Sequence, residues 1–362
     1  GYFASLNALY LLERGLSMTD VGIFGAIALI HFIIKIFLGM LSDRVNLLGM
    51  GHRKPYILIG LAVQILCLVV VPFVNPKTAY WGFVGIAFML QLGMALYDTC
   101  TDGLALDTTP LPEQGKIQGF MVGGRAIGTI AAASMVGLLA ENVSWNAVFW
   151  MLAVLTLLPL PLVLRLKESE RPAEKRFEWK AFRAFKNWPV IAVGLVGLII
   201  FMVIVGANQL VNPFLEQTLG ISLSQAGFIT SIWGIGVVLG SVVGSWLMSH
   251  LDAKKATLTI LAMVSASLIL LAFMVLTSLG LPVAILLVVL YGLAYGSAQT
   301  VTFALCMRFV DQRIAASMFA ILMAFTNIGQ GIGLGLGGAL SDAITFRWTF
   351  VAFAALNLLV LP

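Results

Sequence analysis

The chain alternates long apolar runs with short polar interruptions. The uncharged stretches Asn187–Leu215, Gln217–Ser249 and Ala256–Met307 each hold one membrane span or two, since about 18 consecutive apolar residues cross the hydrocarbon of a bilayer. In order, spans are expected at 1–12, 20–40, 56–74, 80–106, 116–140 and 147–164, then at 188–215, 222–249, 256–278, 281–308, 313–340 and 348–362. The first run would cover only about 18 Å as a helix. The sequence therefore reads as a piece of a longer protein, with its first and last helices cut short. Between the two sets lies 165–187, the long charged stretch, which reads as a solvated linker. Its Phe177, Phe182 and Phe185 would lie near the membrane surface. The expected fold is an all-α polytopic membrane protein of twelve transmembrane helices, with six-helix bundles at 1–164 and 188–362.

Composition agrees. Hydrophobic residues make up 60% of the chain, charged residues 10%, and the mean hydropathy is +1.02, where a soluble domain carries about 25% charge. The net charge of +5 is a matter of topology rather than a nucleic-acid signal. Arg44, Arg53, Lys54, Lys116, Lys254, Lys255, Arg308 and Arg313 join eight basic residues of the linker on one side. Arg14, Lys77 and Arg347 lie on the other. That bias puts the linker in the cytoplasm and the spans in the plasma (inner) membrane. Cys67, Cys100 and Cys306 all fall inside spans, as apolar packing residues with no metal-ligand spacing. No zinc motif, phosphate loop or nucleophile elbow is present, so the chain is expected to be neither an enzyme nor a cofactor protein.

Charge inside the spans is where chemistry is expected. Asp98 and Asp102 stand four apart near the end of the fourth span, and Arg125 lies in the fifth. From a turn centred near Leu111, Asp98 is 13 residues back and Arg125 is 14 forward. Equal distance from a hairpin turn means equal depth, roughly 10–13 Å below the helix ends. Ionisable groups at that depth are paired and mark a substrate or ion path; a buried ion pair that only locks two helices is the alternative. His31 and Lys35 share one face of the second span. Lys35 is close enough to the cytoplasmic end to snorkel there; it could also pair with Asp102. His31 is either a satisfied core group or a proton shuttle.

In the second half the mid-span polar groups are neutral: Asn208, Gln209 and Asn212, then Tyr291, Tyr295 and Gln299, then Asn327 and Gln330. At three- and four-residue spacing they can line one cavity face for a polar solute, or they can bond helix to helix. Glycines recur as Gly119-x3-Gly123 and Gly124-x3-Gly128, as Gly236-x3-Gly240-x3-Gly244, and from Gly329 to Gly338. Inside apolar spans these mean close helix contact rather than a dinucleotide loop.

The halves are weak copies. Leu12-Glu13 answers Leu215-Glu216, and Gly22 and Gly39 are spaced like Gly227 and Gly244, 17 apart. Asp43 with Arg53-Lys54 answers Asp252 with Lys254-Lys255. Repeats of this kind are found in secondary transporters, with the site where the halves meet. The tract Gly39-Met-Leu-Ser-Asp43-Arg44, followed by His52-Arg53-Lys54-Pro55, resembles the loop between the second and third helices of the major facilitator superfamily, with a longer spacer at Val45–Gly51. That resemblance implies two bundles rocking about a central cavity, with Gly39, Asp43, Arg44, Arg53 and Lys54 as gate residues. Asp98-x3-Asp102-Gly103, Asp107, Leu111-Pro112-Glu113 and Gly124-Arg125 look most like the muropeptide permease (AmpG-type) and acetyl-coenzyme A transporter group. This second resemblance implies a monomeric secondary transporter for a polar, anionic small solute, driven by protons, with the acids carrying the proton and Arg125 the anion. The tract GHRKPYILIG is similar to sucrose-type cation symporters and to the PucC-type branch. The alternatives are thus a pigment or photosynthetic-complex assembly factor that transports nothing, or a multidrug exporter.

Overall fold

The computed structural model describes residues 6–49, 51–108, 114–165, 183, 186–274, 280–308 and 315–360. The side chains at 32–33, 36, 39–40, 43–44, 48, 103, 105–108, 114–126, 307–308 and 315–320 fall outside that description. All the described elements are helices: α1 Asn7–Glu13, α2 Met18–Ala28, α3 His31–Arg44, α4 Lys54–Val70, α5 Tyr80–Thr108, α6 Gln114–Asn142, α7 Trp145–Leu157, α8 Leu160–Arg165, α9 Trp188–Leu219, α10 Leu223–His250, α11 Ala253–Phe273, α12 Gly280–Arg308 and α13 Ala315–Leu356. Eight helical stretches among the described residues are long and apolar enough to cross a membrane. The chain is an all-α polytopic membrane protein, as the hydropathy pattern requires.

The helix ends carry local signals. Ser144 caps α7 by accepting from the Ala147 amide at 3.2 Å. Gly220, at φ 64°, stops α9 in the left-handed region that a side chain would resist. Two breaks divide expected spans. The second span is interrupted at Leu29 and Ile30, although neither glycine nor proline is there. The His31 imidazole lies 2.5 Å from the Ala28 carbonyl through Nδ1 and competes with the helix for that acceptor. The sixth span divides into α7 and α8 next to Pro159 and Pro161, as expected where the amide donor is missing. The last two spans run together through α13 with a single non-helical residue, Thr345, at φ 78°.

The chain forms two compact units. One gathers Gly1–Ala26, Gly128–Glu141 and Glu178–Pro362; the other gathers Ile27–Ile127 and Asn142–Phe177. In the first, glycines let backbones touch. A Cβ at Gly236 would fall 2.7 Å from the Val289 carbonyl oxygen and one at Gly244 2.8 Å from that of Ser297, while Gly240 is pressed onto the Leu293 carbonyl. On the other seam Gly329 meets the Leu198 carbonyl and Gly333 that of Met202. In the second unit Gly60 and Gly93 face each other, each close to the other's carbonyl. Lipid tails give no hydrophobic drive between helices, so such close approach is what holds them together. Cys100 is buried with Tyr56, Ile57, Leu61 and Val163, a packing role as expected.

These contacts fix the sign of two substitutions. Gly240→Ala is expected to lower the thermal midpoint in detergent by several degrees, because its methyl group meets backbone. Gly85→Ala, in α5 with nothing within 4 Å of the new carbon, is expected to leave it unchanged or raise it, since alanine favours helix.

Candidate functional site

Two constellations stand out, one in each unit. In the second unit α3 lies against α5, and Lys35 meets both acids of α5. Its ammonium donates to Asp98 Oδ2 at 2.5 Å and lies 3.9 Å from Asp102 Oδ2. Asp98 and Asp102, four apart, stand on one helix face one turn from each other. The side chains are 28% exposed for Lys35 and Asp98 and 36% for Asp102, so the cluster is half-buried rather than sealed. Of the two readings of Lys35, pairing is therefore the one the structure takes, and Asp98 is the nearer partner. Ionisable groups gathered within a span in this way are costly and mark a substrate or ion path. The expected partner Arg125 has its side chain outside the described residues. His31, one turn before Lys35, is fully buried and bonded to Ala28.

The expected gate loop belongs to the same unit. Arg53 is buried and donates to Ser42 Oγ at 2.6 Å, and His52 Nδ1 lies 3.2 Å from the Ser42 carbonyl. Lys54 donates to the Leu164 carbonyl at 2.7 Å, placing a cation at the C-terminal end of α8, where the helix dipole favours it. Both residues fasten the loop. The surroundings of Gly39 and the side chains of Asp43 and Arg44 lie outside the described residues.

In the first unit the neutral polar residues separate into two groups. Tyr291 is fully buried and its hydroxyl donates to the Ile204 carbonyl at 2.5 Å. Gln209 donates to the Leu334 carbonyl at 2.5 Å. These two brace α9 against α12 and α13. Asn208 and Asn212 instead line a narrow cleft, with room for about one water molecule, together with Val211, Ile229, Thr230, Trp233 and Val288. Asn212 donates to Thr230 Oγ1 at 3.0 Å, and Thr230 donates in turn to the Ala226 carbonyl at 2.9 Å. Tyr295 stands edge-on to Trp233 with ring centroids 5.2 Å apart. Gln299 is half-buried, and Gln330 donates to Asn327 within α13 at 3.0 Å. Sequence reasoning missed Thr230 and Trp233; their three-residue spacing on a glycine-rich span was the available signal.

The sequence profile of the Major Facilitator Superfamily matches residues 1–323 and 195–362. The benzoate transport protein of Acinetobacter baylyi is 23% identical over 93% of this chain and 76% of its own length. AmpG 2 of Rickettsia typhi is 23% identical over 96% of this chain and 86% of its own. The crystal structure of the nucleoside transporter NupG superposes with a TM-score of 0.79 at 15% identity, covering 99% of this chain and 92% of that one.

Removing the ammonium takes from Asp98 its partner at 2.5 Å, so Lys35→Met is expected to lower the thermal midpoint. Adding Asp98→Asn should recover most of the loss, because the two changes act on one interaction. Additive losses in the double variant would show that the pair is incidental.

Proposed function

The chain belongs to the Major Facilitator Superfamily of integral membrane transporters for small solutes, and from that premise we propose that it moves a small anion together with a proton. The observation that carries the reading is the Lys35–Asp98–Asp102 cluster. Asp98 holds the ammonium while it is ionised. A proton on Asp98 releases that ammonium, and the solute's anionic group takes the vacated position. The charge of the cluster is then unchanged, which is the condition for moving it through a low-dielectric region. Asp102, one turn on, is a second acid within reach of the same ammonium. Arg125, one span further on, supplies a second cation for the solute or for Asp98. In the first unit Asn208 and Asn212, beside Trp233, keep the solute role expected of neutral polar groups that line a cleft. The likeness to a benzoate transporter supports a carboxylate on an apolar body; the likeness to AmpG fits the acids and arginine of the first half.

In this reading the six-helix halves 1–164 and 188–362 rock about the cavity and the linker 165–187 lies in the cytoplasm. The protein works as a monomer in the inner membrane. The gate residues Arg53 and Lys54, with Gly39, Asp43 and Arg44, steady the linker side of the first half.

The test is uptake into proteoliposomes under an imposed proton gradient, offering benzoate, a nucleoside and a muropeptide in parallel. We expect accumulation of an anionic solute that collapses with a protonophore. Asp98→Asn should still equilibrate the solute across the membrane while losing uphill accumulation. Full gradient-driven accumulation by both Asp98→Asn and Asp102→Asn would refute the proton role.

A further inference from the structure

Within the first unit, two helices are capped twice over at their N-termini. The first turn of α2 has its own capping box: Ser17 Oγ accepts from the Asp20 amide at 3.1 Å, and Asp20 accepts from the Ser17 amide at 3.0 Å. The first turn of α10 has the same box in Ser222 and Gln225, at 3.3 and 2.9 Å. Such a box satisfies the cap and third amides and leaves those between them without a helical acceptor. In α2 these are Met18 and Thr19. Their amides donate to the two carboxylate oxygens of Asp342 at 3.1 and 2.6 Å, and Thr19 Oγ1 adds a third bond at 2.7 Å. In α10 the amide of Ser224 donates to Glu141 Oε2 at 2.6 Å. Asp342 belongs to α13 and Glu141 to α6, so neither acid is part of the helix it caps.

The two arrangements are the same device in the same register. Gly22 follows Ser17 by five residues, as Gly227 follows Ser222; Asp342 follows Gly338 by four, as Glu141 follows Gly137. Gly338 packs on the Met18 carbonyl and Gly22, and Gly137 packs on the Leu223 carbonyl and Gly227. The elements are exchanged: an acid late in the chain holds a helix of its first part, and an acid early in the chain holds a helix of its second. An ordinary cap explains one such contact. A repeat that binds both α2 to α13 and α6 to α10 makes a matched pair of fasteners, each built from charge-assisted bonds to a helix N-terminus.

We propose that Asp342 and Glu141 are positioning residues that hold the α2–α13 and α6–α10 seams shut, and that opening of these seams in transport requires the release of both. The proposal rests on the transporter reading but not on the Lys35 cluster. It is tested without any solute. In a protein with Cys67, Cys100 and Cys306 replaced by alanine, Ser231→Cys places a thiol at a buried position of the α6–α10 seam, where Ser231 bonds the Ile130 carbonyl. Labelling by a membrane-impermeant maleimide then reports opening. Asp342→Asn with Glu141→Gln is expected to speed labelling about tenfold, the ratio that losing a charge-assisted bond would give. Each single change should give a smaller rise in the same direction. Asp342→Glu, which keeps the charge, should return the rate towards that of the parent. Unchanged labelling in the single and double variants, in protein that remains monodisperse, would overturn the proposal. So would equal labelling of Asp342→Asn and Asp342→Glu.

Discussion

A charge within a membrane span has to be answered, and here one ammonium is answered by two carboxylates. Lys35 sits 2.5 Å from Asp98 and 3.9 Å from Asp102. The ammonium stands within reach of two acids on one helix face, so it has a choice of partner. A neutral ion pair at that depth would only hold α3 against α5. In the proposed mechanism a proton on Asp98 decides whether Lys35 is committed to that acid or taken by the solute's anionic group. Coupling of this sort needs no long-range signal, only two ligands in competition for the same charge.

The rest of the architecture follows from what helices in lipid can use to hold together. Glycine against carbonyl brings α10 onto α12 and α13 onto α9. Polar side chains then either strengthen those seams or are left to face a void. Gln209 and Tyr291 bond backbone carbonyls of neighbouring helices, so they serve packing. Asn208 and Asn212 remain on the cleft beside Trp233. The division sets groups that brace the helices apart from groups that line the cleft. The same economy appears at the helix ends, where Asp342 and Glu141 satisfy amides that a local capping box cannot reach.

Much of this was legible beforehand, for identifiable reasons. The spans follow from hydropathy alone, because a bilayer leaves the backbone few alternatives to helix. Asp98 and Asp102 stood out because charges are so rare in the spans. Lys35 was legible as a snorkelling group or a partner for Asp102; that it sits nearer Asp98, 63 positions away, follows from how α3 lies against α5 and not from any local spacing. Gln209 and Asn212 have the same chemistry in the sequence and differ only in which way α9 is turned, which packing decides. The interruption at Leu29–Ile30 was hidden because a histidine side chain rather than a proline or glycine marks it. The Ser-x-x-Asp and Ser-x-x-Gln boxes at Ser17 and Ser222 could have been read as helix starts; the acids that complete them lie at 342 and 141, beyond any local pattern.

The most direct test of the central claim is whether a carboxyl of the cluster takes up a proton when solute binds. Infrared difference spectroscopy of the protein in lipid, recorded on adding an accumulated anion, reads the carbonyl stretch of protonated carboxyl groups. The account predicts a new protonated-carboxyl band on binding that is absent in Asp98→Asn. A protein that binds the anion with no such band, or one that shows the same band after Asp98→Asn, would contradict it.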